Sequence, residues 1–122
     1  MAGGALLLVL GVAALAAEKP EVPVVDAHLG SCSADFTVRD GENKAIYGAK
    51  ITVLVRYGMM GFRKMELQVG TNSEGKARVD GLPERARQPL EFAVSHGGLS
   101  KTVKADTAAK CIATFEVTLG PG

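Results

Sequence analysis

The chain has no tryptophan, two tyrosines, two histidines and two cysteines in 122 residues. Each scarcity closes off chemistry. Sugar-binding surfaces rely on exposed aromatic platforms, and Tyr47 and Tyr57 are a thin supply for one. With no His-x-His and no Cys-x-x-Cys, closely spaced metal ligands are missing. No basic block or acidic tail exists, and formal charge is only +1, so overall charge points neither to nucleic acid nor to an anionic membrane. No window holds a sustained helical period, which argues against an α-helical core.

The N-terminus is read first as a targeting segment. Ala5 to Ala17 is uncharged and apolar, shorter than the roughly 20 residues a bilayer span takes. Ala14-Leu15-Ala16 fits a signal peptidase site, and Glu18-Lys19-Pro20 follows. Met1-Ala2-Gly3-Gly4 departs from the usual pattern in lacking Lys or Arg. A buried helix is the competing reading, opposed by the absence of a polar face. Residues 1–16 are therefore expected to be a cleavable signal peptide, and the product secreted or periplasmic. Leu29-Gly30-Ser31-Cys32 superficially resembles a lipoprotein box, but charged residues separate it from the apolar run. The remainder, about a hundred residues, suffices for one domain with a modest core.

Residues 17–31 read as an extended tether, with Pro20 and Pro23 fixing φ and removing donors. Val22, Val24 and Val25 leave room for a short edge strand. Period-two alternation then takes over. Apolar residues recur at Ala34, Phe36, Val38; at Ile51, Val53, Val55, Tyr57; and at Met65, Leu67, Val69. The same spacing returns at Ala77, Val79; at Leu90, Phe92, Val94; and at Ala113, Phe115, Val117, Leu119. Residues 99–105 are less regular, since Lys101 shares the phase of Leu99 and Val103, which suits an edge strand. The expected fold is all-β: a seven-stranded antiparallel Greek-key β-sandwich.

Strand phase then bears on the cysteines. Cys32 lies in phase with Ala34 and Phe36, and Cys111 with Ala113 and Phe115. Both sulfurs are expected to face the core at the starts of the first and last main strands, which meet if those strands run side by side in parallel. Exported cysteines tend to pair, and a Cys32–Cys111 bridge closing so long a loop stabilises by about 4–5 kcal/mol in the chain-entropy model. Two free thiols, or a metal or redox pair, are the alternatives. Asn72-Ser73-Glu74-Gly75 is a turn, with Asn bonding its own backbone and Gly supplying positive φ to close a hairpin. A calcium loop needs several converging oxygens, and only Asn72 and Glu74 are on offer.

Phe36-Thr-Val-Arg-Asp, Ile46-Tyr-Gly-Ala-Lys-Ile-Thr-Val and Thr71-Asn-Ser-Glu-Gly-Lys-Ala-Arg-Val-Asp-Gly-Leu-Pro83 together resemble the carboxypeptidase regulatory-like domain. That family is a sandwich related in shape to transthyretin. The resemblance covers most of 34–119 and assigns 32–120 to one such domain. It implies an extracytoplasmic accessory module. Ala77 stands where that family often has an aromatic, so Phe62 or Met65 is expected to fill the space. Intradiol dioxygenases have related sandwiches and bind iron through two Tyr and two His, but their His-x-His spacing is absent. Hydroxyisourate hydrolases end in Tyr-Arg-Gly-Ser, whereas this chain ends Thr118-Leu-Gly-Pro-Gly122. Ser95-His96 are neighbours on opposite strand faces and build no triad. Residues 111–119 lack the Asn or Asp that an intramolecular isopeptide bond needs.

Gly58-Met59-Met60-Gly61-Phe62 is the oddity. Two methionines and a phenylalanine are unusual at a wet loop tip, and loops carry function on sandwich scaffolds. Three readings stand. The loop caps the core; or Met59, Met60, Phe62 and Arg63 contact a partner, with Arg56 and Lys64 favouring an acidic one; or thioethers of Met59, Met60 and Met65, with His96, hold Cu(I). The expectation is a monomeric, non-enzymatic module without a cofactor, binding another protein or a cell-surface component. A small-ligand or copper carrier and a carbohydrate-binding accessory module are the alternatives.

Overall fold

The structure, a computed structural model, describes residues 21–86 and 88–120. The expected signal peptide, 1–16, and the start of the tether lie outside the described residues. Among the described residues eight strands form: β1 (Val24–Asp26), β2 (Cys32–Asp40), β3 (Lys50–Tyr57), β4 (Arg63–Gly70), β5 (Lys76–Leu82), β6 (Leu90–His96), β7 (Leu99–Ala105) and β8 (Ile112–Leu119). They make two four-stranded sheets, ordered β1-β5-β2-β8 and β4-β3-β6-β7.

The count is eight rather than seven because the tether is itself recruited. Val24–Asp26 pairs in parallel with Arg78–Asp80 of β5. The Arg78 N–H donates to the Pro23 carbonyl at 2.9 Å, and the Ala27 N–H to Asp80 at 3.0 Å. Pro23 is tolerated because it stands just before the first paired residue, where only its carbonyl takes part in the ladder, and β1 covers what would otherwise be an open edge of β5. The first sheet is also not purely antiparallel. β2 and β8 run in parallel over eight residue pairs, from Ser33↔Ile112 to Asp40↔Leu119.

Alternation places the core between the sheets. Phe36, Val38, Ile51, Val53, Val55, Val79, Phe92, Val94 and Val117 are all buried. Phe36, Phe92 and Phe115 form a three-ring cluster, with centroids 5.0, 5.3 and 6.1 Å apart, that joins both sheets. Tilted and offset pairs at such spacings add about 0.5–1.5 kcal/mol each beyond the area buried. Met65 packs against this core; Phe62 does not, and points to solvent. β7 is an edge strand, as its irregular pattern suggests. Leu99 and Lys101 are exposed there because the facing sheet ends at β8.

The Cys32–Cys111 disulfide is present, with Cα atoms 4.6 Å apart. The parallel β2–β8 pairing brings the two strand starts together, and the Ser33 N–H donates to the Cys111 carbonyl at 2.9 Å. The turn at 72–75 does not close a hairpin. β4 and β5 belong to different sheets, so the chain crosses the sandwich there.

Candidate functional site

β3 and β4 pair without a break from Lys50↔Gly70 to Tyr57↔Arg63. β6 accompanies β3 only from Lys50 to Val53. Beyond that, Leu54–Tyr57 hydrogen-bond to β4 alone, so the hairpin extends past the β6 ladder. Gly58–Phe62 turns the chain at its tip through a short 3-10 turn, Met59–Gly61. Gly58, Met60 and Gly61 all have positive φ, at 80°, 55° and 70°. Two backbone bonds hold the turn, Gly61 N–H to Gly58 at 3.2 Å and Phe62 N–H to Met59 at 3.3 Å.

This geometry turns the apolar side chains outward. Met59, Met60 and Phe62 are 84%, 64% and 78% exposed. The core-capping reading is therefore not what the structure adopts. Instead, three large apolar side chains stand together on a projecting turn.

Cations collar the tip. Arg56 and Lys64 are directly opposed across the strands, on the outward face, since Val55 beside them is buried. Like charges so placed repel. Arg63, one residue on and opposite Tyr57, lies in the other phase of the hairpin. The collar's side chains pass Gly58 and Gly61 at ordinary van der Waals distance. The Arg63 stem lies 3.6 Å from where a Gly58 Cβ would sit, and the Arg56 Cβ 3.8 Å from where a Gly61 Cβ would sit. Among the described residues, no ion pair includes Arg56, Arg63 or Lys64.

The copper set is not brought together. Met65 opposes Val55 on the core-facing side and is half-buried. His96 follows Ser95, the partner of Lys50 at the far end of β3. β3 is eight residues long, so its ends lie roughly 24 Å apart at about 3.4 Å per step. The same distance parts Tyr57 from His96, so the two tyrosines and two histidines do not fit an iron centre. Among the described residues, no three His, Cys, Asp or Glu side chains cluster as a metal site.

Open grooves among the described residues lie elsewhere. One, about 440 Å³, lies at the His96 end beside Lys50, Ser95, Gly97 and Leu99. Another, about 200 Å³, runs between β7 and β8 beside Lys104, Lys110 and Phe115. Neither borders the tip.

Sequence reasoning missed one charged cluster. On the outward face of the first sheet, Arg78 donates through Nε to Asp80 Oδ1 at 2.6 Å and through Nη1 to both Asp35 oxygens at 3.1 and 3.2 Å. The Asp80 bond, with Asp35 beside it, raises the Arg78 pKa further against the effect of partial burial. Arg78 and Asp80 alternate visibly, but only the β2–β5 register, Asp35↔Arg78, closes the triad. Half-exposed pairs of this kind contribute little to stability.

No family model matches the chain, and no curated relative is found. Solved structures do resemble it in shape. Hydroxyquinol 1,2-dioxygenase from Pseudomonas putida DLL-E4 superposes at a TM-score of 0.54 and 9% identity, over 86% of this chain and 64% of that one. Catechol 1,2-dioxygenase from Pseudomonas arvilla C-1 gives 0.51 and 12%, over 95% and 67%. A 9R-lipoxygenase from Cyanothece PCC8801 gives 0.50 and 17%, over 94% of this chain but 20% of that one. The chain thus spans about two thirds of these dioxygenases and a fifth of the lipoxygenase. At such identities the likeness is one of fold: a two-sheet β-sandwich.

Proposed function

We propose that this chain is an exported, non-enzymatic sandwich of the carboxypeptidase regulatory-like kind, whose Met59–Phe62 tip binds another protein or a cell-surface component. The observation that carries the proposal is the exposure of Met59, Met60 and Phe62 within four residues of one projecting turn. Scattered surface apolar residues need no explanation, whereas a contiguous group does. The turn also holds a non-glycine residue, Met60, at positive φ, a conformation that costs about 1–2 kcal/mol. Strain and exposed apolar surface at one place are features of contact sites. The disulfide fits an oxidising, extracytoplasmic compartment.

The test is capture from the cell envelope by the immobilised protein, compared with Met59→Ser plus Met60→Ser. The proposal expects the double variant to lose most of the captured material while keeping the wild-type unfolding curve. Undiminished capture by the folded variant rules the tip out as the contact.

A further inference from the structure

Resting on that reading of the tip, we infer that the surface it engages is an anionic lipid bilayer, with Met59, Met60 and Phe62 entering the acyl boundary and Arg56, Arg63 and Lys64 meeting lipid phosphates.

Shape is the first argument. The tip is convex and narrow, one turn across two strands. Three side chains of this size and exposure present on the order of 400–500 Å² of apolar surface. A stable protein–protein interface takes about 800 Å² from each partner. Interfacial insertion has no such threshold, because it adds apolar burial to electrostatic attraction.

Depth is the second argument. The headgroup layer of a bilayer is roughly 7 Å thick on each side of the hydrocarbon. Arg56 and Lys64 stand two residues from the turn's ends and Arg63 one, that is, about 3–7 Å back along the strands. When the tip reaches the acyl boundary, these cations lie at phosphate level.

Arrangement is the third argument. The cations occupy both faces of the hairpin rather than one. A planar anionic surface surrounds an inserted tip on every side and engages all of them. Their lack of ion-pair partners among the described residues leaves them available. Met60 and its flanking glycines, held at positive φ, present the apolar side chains before contact, which lowers the ordering cost of insertion.

The chain has no tryptophan, so Phe62→Trp supplies a single local reporter, and Ser73→Trp, on the turn between the sheets, a control. The full chain carrying each is mixed with vesicles of phosphatidylcholine alone or with added phosphatidylglycerol. The expected result is a blue shift of Phe62→Trp emission with the anionic vesicles, quenched by acyl-brominated lipid, and no shift for Ser73→Trp. Residues 1–20 are common to both forms, so the difference reads the tip.

Adding Arg56→Gln, Arg63→Gln and Lys64→Gln to the Phe62→Trp form should weaken vesicle affinity about five-fold per cation, on the order of a hundredfold together. High salt should do likewise in the unsubstituted collar. An unshifted Phe62→Trp spectrum, or a shift indifferent to lipid charge, overturns the inference. If tip-dependent capture of an envelope protein persists alongside an unshifted spectrum, the bilayer inference falls and the proposed contact role stands; if both fail, both fall.

Discussion

The two turns that bracket β4 each carry a glycine at nearly the same positive φ in opposite surroundings. Before the strand, the Gly58–Phe62 turn carries Gly61 at φ 70°; after it, the Asn72–Gly75 turn carries Gly75 at φ 75°. The second turn is knitted into the sandwich. Asn72, 8% exposed, accepts from the Glu74 and Lys76 N–H groups at 2.9 and 3.0 Å and donates to the Glu21 carbonyl at 2.9 Å. The Thr71 hydroxyl accepts from the Ala49 N–H and donates to the Ile46 carbonyl. The first turn has no side-chain hydrogen bond among the described residues and buries none of its residues. One turn connects the sheets and serves stability; the other contributes little to the fold and is free to serve contact.

Matched substitutions probe this contrast, and the largest effect belongs to Gly75→Ala. A Cβ there would overlap the Val38 carbonyl. Moving aside would break the 2.7 Å bond from the Val38 N–H to the Gly75 carbonyl. Positive-φ strain of about 1–2 kcal/mol adds to that collision, and we expect a loss of about 3 kcal/mol or more by urea unfolding. Gly61→Ala has nearly the same φ but only the Arg56 Cβ at 3.8 Å, so its cost should stay near the strain alone, about 1 kcal/mol. Equal losses would break the comparison.

Thr71→Val comes next. It leaves the Ala49 N–H and Ile46 carbonyl without their partner in a buried setting, and should cost about 1–3 kcal/mol in the same measurement. Met60→Gly should instead stabilise, by up to about 1 kcal/mol, because glycine relieves the positive φ. That sign sharpens the contrast, since a substitution that improves the fold would remove part of the proposed contact.

The smallest effect is at a third turn. The Lys44 backbone N–H holds the Asp40 carboxyl below its ordinary value; slight desolvation opposes this, and the Glu42 N–H and Lys44 charge assist. A carboxyl lowered in the folded state contributes stability above its unfolded pKa and loses it as pH falls toward the lower folded value. Asp40→Asn keeps the acceptor and removes the titration, so the acid limb of stability below about pH 4 should become slightly shallower. An unchanged limb would show that this turn, too, is decoupled from the fold.

Much of the fold is legible in the alternation. Ile51, Val53 and Val55 are buried as their phase implies, and Cys32 and Cys111 meet because β2 and β8 start together. What escaped has physical reasons. β1 is three residues long, too short for a period to declare itself, and its pairing depends on donors from Arg78 and Ala27. The chemistry of Asn72–Gly75 is the same whether the flanking strands pair or part, so the crossover cannot be read from it. At the candidate site, the composition of 58–62 is conspicuous, but whether Phe62 turns inward rests on the φ values of Met60 and Gly61, which no alternation encodes. Ala77 invited a filler from that loop; in the structure it opposes Phe36, whose ring Phe115 and Phe92 already flank.

The central claim, that the turn before β4 makes contact and the turn after it does not, is tested most directly by photo-crosslinking in the protein expressed in cells. A benzophenone amino acid placed at Met60 in one form and at exposed Ser73 in another samples the two turns on one scaffold. The account requires discrete adducts with an envelope protein or lipid from position 60 and none from position 73. Adducts from position 73 alone, or equal yields from both, would contradict it.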